Sequence, residues 1–176
     1  MSTIPDTPPV LGFVAWSGTG KTSLLTQILP LLGKQGLKVG LIKHAHHSFD
    51  IDYPGKDSFE LRKAGAGQVI VASRARWAMI TETPDMPGDP HLSHLLTRLN
   101  DDLDMVLVEG FKHVSFPKIE VHRPSLGKAL MFPDDPDIIA VVSDGPLDEP
   151  TDLPILDINN PLQVAGYVVE WLRRQS

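Results

Sequence analysis

The sequence predicts an α/β fold, with a mostly parallel central sheet, helices on both faces and an added β-hairpin. Three observations predict it. Short apolar runs at residues 10–16, 39–44, 105–108 and 138–142 lack polar alternation, as strands buried on both faces do. Apolar stripes of helical period stand between such runs, and the opening order strand, helix, strand favours parallel pairing through a right-handed crossover. A chain of 176 residues, 41% hydrophobic and 22% charged with mean hydropathy −0.05, fits one globular domain over residues 1–176.

The elements follow in order. After a Pro-rich lead, residues 10–16 form a strand run that gives way at once to glycines. From Lys21 the positions Leu24, Leu25, Ile28, Leu31 and Leu32 recur at helical spacing up to Gly33 and Gly36, with Pro30 expected to kink or tighten the helix. Residues 39–44 are the second strand, and the polar stretch 45–56, rich in His and Asp and carrying Pro54-Gly55, is expected as a site-forming loop at its end. Asp57 or Ser58 is expected to cap a helix through Phe59, Leu61 and Arg62. Residues 68–72 and 77–81 predict two strands joined by a turn at 73–76.

Leu92, Leu95, Leu96 and Leu99 form one helical stripe, and the apolar run 105–108 ends in Glu109-Gly110. Residues 118–122 alternate and predict an edge strand, whereas 138–142 are apolar throughout and predict a central one. Residues 124–137 between them read as irregular. A short strand at 155–156 leads into a helix opened by Pro161, with Val164, Tyr167, Val168, Trp171 and Leu172 inward.

Composition removes several function classes. Zero cysteines exclude disulfides, thiolate metal sites and thiol catalysis. No run approaches the roughly 18 apolar residues of a membrane span, and the start has no basic region followed by an apolar one, so a cytoplasmic location without membrane attachment is expected. A net charge of −6 and a pI near 5.6 argue against a nucleic-acid partner. The charge is uneven: residues 1–80 sum to +4 and residues 81–176 to −10, which assigns an anionic ligand to the first half.

Ala15-Trp16-Ser17-Gly18-Thr19-Gly20-Lys21-Thr22 fits the Walker A spacing, with alanine at the first glycine position, and predicts a P-loop NTPase-like three-layer fold. The glycines let successive backbone N–H groups face one phosphate at a helix N-terminus. Trp16, Ser17, Gly18, Thr19, Gly20, Lys21, Thr22 and Ser23 are therefore the candidate nucleotide-binding residues. Lys21, reaching the β and γ phosphates, and Thr22, able to ligate Mg²⁺, are the candidate catalytic pair. Mg²⁺ takes hard oxygen ligands, and the candidates are Thr22, Glu109 at the Walker B position, and one of Asp50 and Asp52. His44, His46 and His47 are candidates for phosphate-proximal or metal contacts.

Five segments in order carry a family resemblance: the Walker A run, Leu41-Ile42-Lys43-His44, Pro54-Gly55-Lys56-Asp57-Ser58, Leu61-Arg62-Lys63-Ala64-Gly65-Ala66 and Glu109-Gly110-Phe111-Lys112-His113. Together with a terminal Val-Val-Glu-Trp helix they resemble the molybdopterin-guanine dinucleotide biosynthesis protein B (MobB) family over nearly the whole chain. The resemblance implies a homodimeric GTP-binding protein with weak GTPase activity. It implies an adapter role beside the guanylyltransferase that attaches GMP to molybdopterin, and beside other proteins of molybdenum cofactor biosynthesis. No Asn-Lys-x-Asp box is present, and Asp144, following the 138–142 strand, is the candidate reader of guanine N1 and N2, an ordinary turn there being the alternative. With no evident water-orienting residue or arginine finger, turnover on the order of 10⁻⁴ per second is expected. The alternatives are a P-loop small-molecule kinase and a nickel-delivery GTPase, the latter suggested by the histidines.

Overall fold

The computed structural model describes residues 8–45, 49–85 and 88–175. In chain order they form β1 (Val10–Val14), α1 (Lys21–Lys34), β2 (Val39–Lys43), α2 (Asp57–Lys63), β3 (Gln68–Ala72), β4 (Trp77–Thr81), α3 (Leu92–Leu96), β5 (Met105–Glu109), β6 (Lys118–His122), a 3₁₀ turn at Pro124–Leu126, β7 (Ile138–Ser143), β8 (Ile155–Asp157) and α4 (Pro161–Arg173). The chain divides into two compact units: residues 45–91 form the smaller, and the residues on either side of that stretch form the larger.

The larger unit is a six-stranded sheet in the order β2-β5-β1-β6-β7-β8, parallel at every pairing. Its inner strands are apolar because both faces are covered. On one face α1 buries Leu24, Leu25, Ile28 and Leu32, and α4 buries Val164, Ala165, Val168 and Trp171. On the other, Leu92 of α3, with Leu95 and Leu96, packs on Ile42, Val106 and Val108. These are the three layers expected. Asn160 caps α4 by accepting from Gln163 N, with Pro161 at the first helical position, and α1 runs on past Pro30 to Lys34.

One strand is misplaced by its pattern. Residues 118–122 alternate like an edge strand, yet β6 lies between β1 and β7 with all five residues buried. The polar positions are paired inside the protein. The Lys118 ammonium donates to Val114 O at 2.9 Å and to Asp135 at 2.8 Å, with Asp137 at 3.7 Å. Glu120 accepts from the backbone N of Met131 and Phe132 at 2.8 and 2.9 Å, and burial still pushes its carboxyl above the ordinary range. Beside it, a Cβ on Gly12 of β1 would fall 2.7 Å from the Phe116 ring and 2.8 Å from Lys118, so only glycine admits this packing.

In the smaller unit the hairpin appears as expected, with Gln68 opposite Thr81 and Ala72 opposite Trp77. The helix start differs. Asp57 and Ser58 lie inside α2, and Lys56 holds the cap position with no side-chain cap; the acidic Asp57 and Glu60 in the first turn complement the helix dipole instead. Arg62 is the buried residue of α2, donating to Glu82 at 2.6 Å and to both carboxylate oxygens of Asp50 at 2.8 Å. These partners hold its guanidinium charged, above its ordinary value. Among the described residues of 45–91 no hydrophobic side chain is buried. No described helix is long and apolar enough to cross a membrane.

Removing one member of a buried ion pair leaves the other uncompensated, typically at about 3–5 kcal/mol. Asp135→Ala, which strands the buried Lys118 ammonium, is expected to lower unfolding stability by about that much in urea titration, while Lys38→Ala, from an exposed pair with Asp102, costs no more than about 1 kcal/mol.

Candidate functional site

Parallel register brings the carboxyl ends of β1, β2, β5, β6 and β7 to one edge of the sheet, where ligand sites of open α/β folds form. The loop leaving β1 turns back on itself at Gly18 (φ 85°) and Gly20 (φ 94°), both left-handed, the region where glycine is at ease. Thr19, buried, closes the turn by donating its hydroxyl to Trp16 O at 3.0 Å. Gly20 occupies the cap position of α1 with no side-chain cap, so the first N–H groups of a 14-residue helix are left for another acceptor.

Lys43 and Glu109 are register partners at the ends of β2 and β5, and their side chains meet. Glu109 Oε1 accepts from the Lys43 ammonium at 2.9 Å and from the Thr22 hydroxyl at 3.0 Å, and Lys43 also reaches Thr22 Oγ1 at 3.4 Å. Glu109 is buried, Lys43 half exposed. Two Walker A and Walker B candidates are thereby brought together, with a cation already on the carboxylate.

Lys21 sits between the glycine turn and this cluster. Its pKa is lowered first by desolvation, further by the like charges of Lys43 and Lys112, and is partly restored by Glu109. A phosphate would relieve that imbalance. The turn after β5 places Gly110 at φ 97° and Phe111 at φ 53°, unusual for a side-chain residue, with Phe111 buried and its ring 4.7 Å from that of His44.

Several features were not legible in the sequence. Trp16 Nε1 donates to Ala129 O at 2.7 Å, and the Lys112 ammonium lies 4.9 Å from the Trp16 ring centre. Arg123, the residue after β6, donates Nε to Thr19 O at 2.8 Å and pairs with Asp144, the residue after β7. Register explains the pair, since His122 lies opposite Ser143. A basic residue just past a strand's carboxyl end was the available signal. Asp144 also lines a pocket of about 400 Å³ with Ser143, Asp157, Asn159 and Gln163.

Asp50 and Asp52 belong to the smaller unit. Both oxygens of Asp50 are engaged by Arg62, which holds its carboxyl below the usual range. Asp52 Oδ1 accepts from Tyr53 N at 3.1 Å, while Oδ2 is buried without a hydrogen-bond partner. Ser17, Thr22 and Ser23 are exposed. His46 and His47 lie outside the described residues. Among the described residues no group of three His, Asp or Glu is placed to hold a metal by itself, so Thr22 and Glu109 would share a cation with the ligand's own oxygens.

Residues 10–144 match the family model for molybdopterin guanine dinucleotide synthesis protein B, MobB. The chain is 50% identical over 172 residues to the molybdopterin-guanine dinucleotide biosynthesis adapter protein of Escherichia coli K12, covering 96% of this chain and 95% of that one. It is 42% identical to the Haemophilus influenzae protein of the same name, over 93% and 89% of the two chains. A solved structure of molybdopterin-guanine biosynthesis protein B superposes with a TM-score of 0.73 at 27% identity, covering 93% of this chain and 99% of the other.

The lowered Lys21 pKa carries a signed consequence for stability. A lysine that binds its proton less tightly when folded costs folding free energy wherever it is protonated, and the cost fades as pH rises toward the ordinary value of 10.5. Lys21→Met is therefore expected to melt no lower than the native protein at pH 7, with any advantage shrinking as pH rises toward 10.5, as followed by calorimetry across pH.

Proposed function

The chain belongs to the MobB family, and from that premise we propose that it is a GTP-binding adapter in the biosynthesis of molybdopterin guanine dinucleotide, working beside the guanylyltransferase of that pathway. The observation that carries the nucleotide part is the uncapped, glycine-turned entry to α1, with Lys21 and Lys43 gathered at it and Thr22 hydrogen-bonded to Glu109. Backbone N–H groups, a helix N-terminus and two ammonium groups suit a polyphosphate.

The hydroxyl of Thr22 and the carboxylate of Glu109 form a hard-oxygen pair that fits Mg²⁺, and Lys43 already occupies the cationic position against them. Bound there, Mg²⁺ would neutralise phosphate charge. The chain's own groups do the rest: Lys21 and the loop amides hold the phosphates, and Arg123 orders Thr19 O and Asp144 at the same time. Asp144 keeps one carboxylate oxygen beyond the Arg123 pair for the N1 and N2 donors of guanine, and the Asn159 and Gln163 side chains share its pocket. Charge neutralisation by Lys21 and the loop amides accounts for slow hydrolysis, leaving nucleotide state to govern partner docking.

Homodimer formation is part of the reading. An isolated two-stranded ribbon is marginal in water, yet β3 and β4 are apolar on both faces, with Ile70 and Trp77 each 60% exposed and neither outer edge paired among the described residues. A second copy of the ribbon would cover this surface.

Calorimetric titration with Mg²⁺ is expected to give tighter binding of GTP than ATP. Lys21→Ala should weaken GTP at least 100-fold, and Asp144→Asn should erase the preference for GTP over ATP. Unchanged affinity in Lys21→Ala would reject the nucleotide site. By light scattering the native chain is expected at twice the monomer mass, and Ile70→Glu with Trp77→Glu at the monomer mass.

A further inference from the structure

We propose that the cavity beside Trp16, about 460 Å³, is a second ligand site for a flat bicyclic heterocycle that bears N–H donors at one end and an anionic group at the other. This goes beyond the nucleotide reading and does not depend on it. The volume falls in the range of small-molecule sites, and all its lining residues lie in the larger unit.

The walls are fastened by buried charges. Lys118 reaches from β6 to Val114 O on one side and to Asp135 and Asp137 on the other. Glu120, two residues on, fixes the backbone N of Met131 and Phe132. Well-packed apolar side chains of like volume serve stability as well as buried ion pairs or better, so the geometry that the charges enforce is what distinguishes them. Trp16 then ties this rigid wall to the phosphate loop through its bond to Ala129 O.

The lining sets the ligand's chemistry. The sides come from the Trp16 ring, Val114, Leu130 and Met131, which suit a flat apolar body. Lys112, held over the Trp16 ring, offers a cation for an anionic group. Asp134 lines the cavity with a carboxylate that has no hydrogen-bond or ion-pair partner among the described residues, an acceptor for paired N–H donors. A 2-amino-4-oxopyrimidine ring edge supplies such donors, and both guanine and pterin compounds carry it.

The test titrates the full chain with pterin-6-carboxylate and, separately, with GMP, after the phosphate loop is filled with a non-hydrolysable GTP analogue. One saturable site is expected for at least one probe, and which of the two binds tells the pterin source from the guanine source. 1-Naphthoate, flat and anionic without the donors, should bind at least 10-fold more weakly. Leu130→Trp should abolish probe binding, and the exposed Asp134→Asn, which leaves packing alone, should weaken it at least 10-fold, each with affinity for the GTP analogue retained. Absence of a saturable site for both probes overturns the proposal, as does binding indifferent to Asp134→Asn. Failure of the nucleotide reading is a separate result, read from the GTP analogue and Lys21→Ala alone.

Discussion

The site depends on one buried carboxylate. Glu109 closes the strand next to β1 and is shut away from water, so its charge must be met by donors within hydrogen-bond distance. Parallel register supplies Lys43 directly opposite, and the first turn of α1 supplies the Thr22 hydroxyl. A strand slipped by two residues would keep its apolar faces and lose this cluster. The core fixes which side of the sheet each helix covers, whereas the need to compensate Glu109 fixes where the strand ends must align.

The same logic explains β6. A central strand with three charged or titratable side chains contradicts the usual reading of alternation, because alternation reports which side chains can be satisfied on a face and solvent is only one way of satisfying them. Lys118 and Glu120 find partners in the irregular stretch between β6 and β7. That stretch looks structureless in sequence since it has no periodicity of its own. Its order comes from two side chains of a neighbouring strand.

What the sequence revealed follows from the range of the interaction. Apolar runs and the glycine spacing of residues 15–22 are local, so β1, β2, β5, β7 and α1 were legible, and the hairpin was placed to the residue. The Arg123 pair with Asp144 spans 21 positions, and the Trp16 bond to Ala129 spans 113; both depend on strand order, which no window of sequence contains. Asp50 shows the converse limit. Its composition suits a metal ligand, but Arg62, twelve positions away on the next helix, engages both of its oxygens. The family resemblance compensated for the missing long-range information, since it rests on five segments in order, and residues 10–144 match the family model.

Lys21 is held where burial and like charge both disfavour its ammonium. An ammonium partly removed from water, near two others and an uncapped helix end, is an arrangement that the isolated fold would relax if it could. The glycine turn, braced by Thr19 and Arg123, prevents that relaxation. That arrangement costs the folded protein stability while Lys21 is protonated. An anion placed there would relieve the desolvation and like-charge repulsion on Lys21 without rearranging a turn that Thr19 and Arg123 already hold.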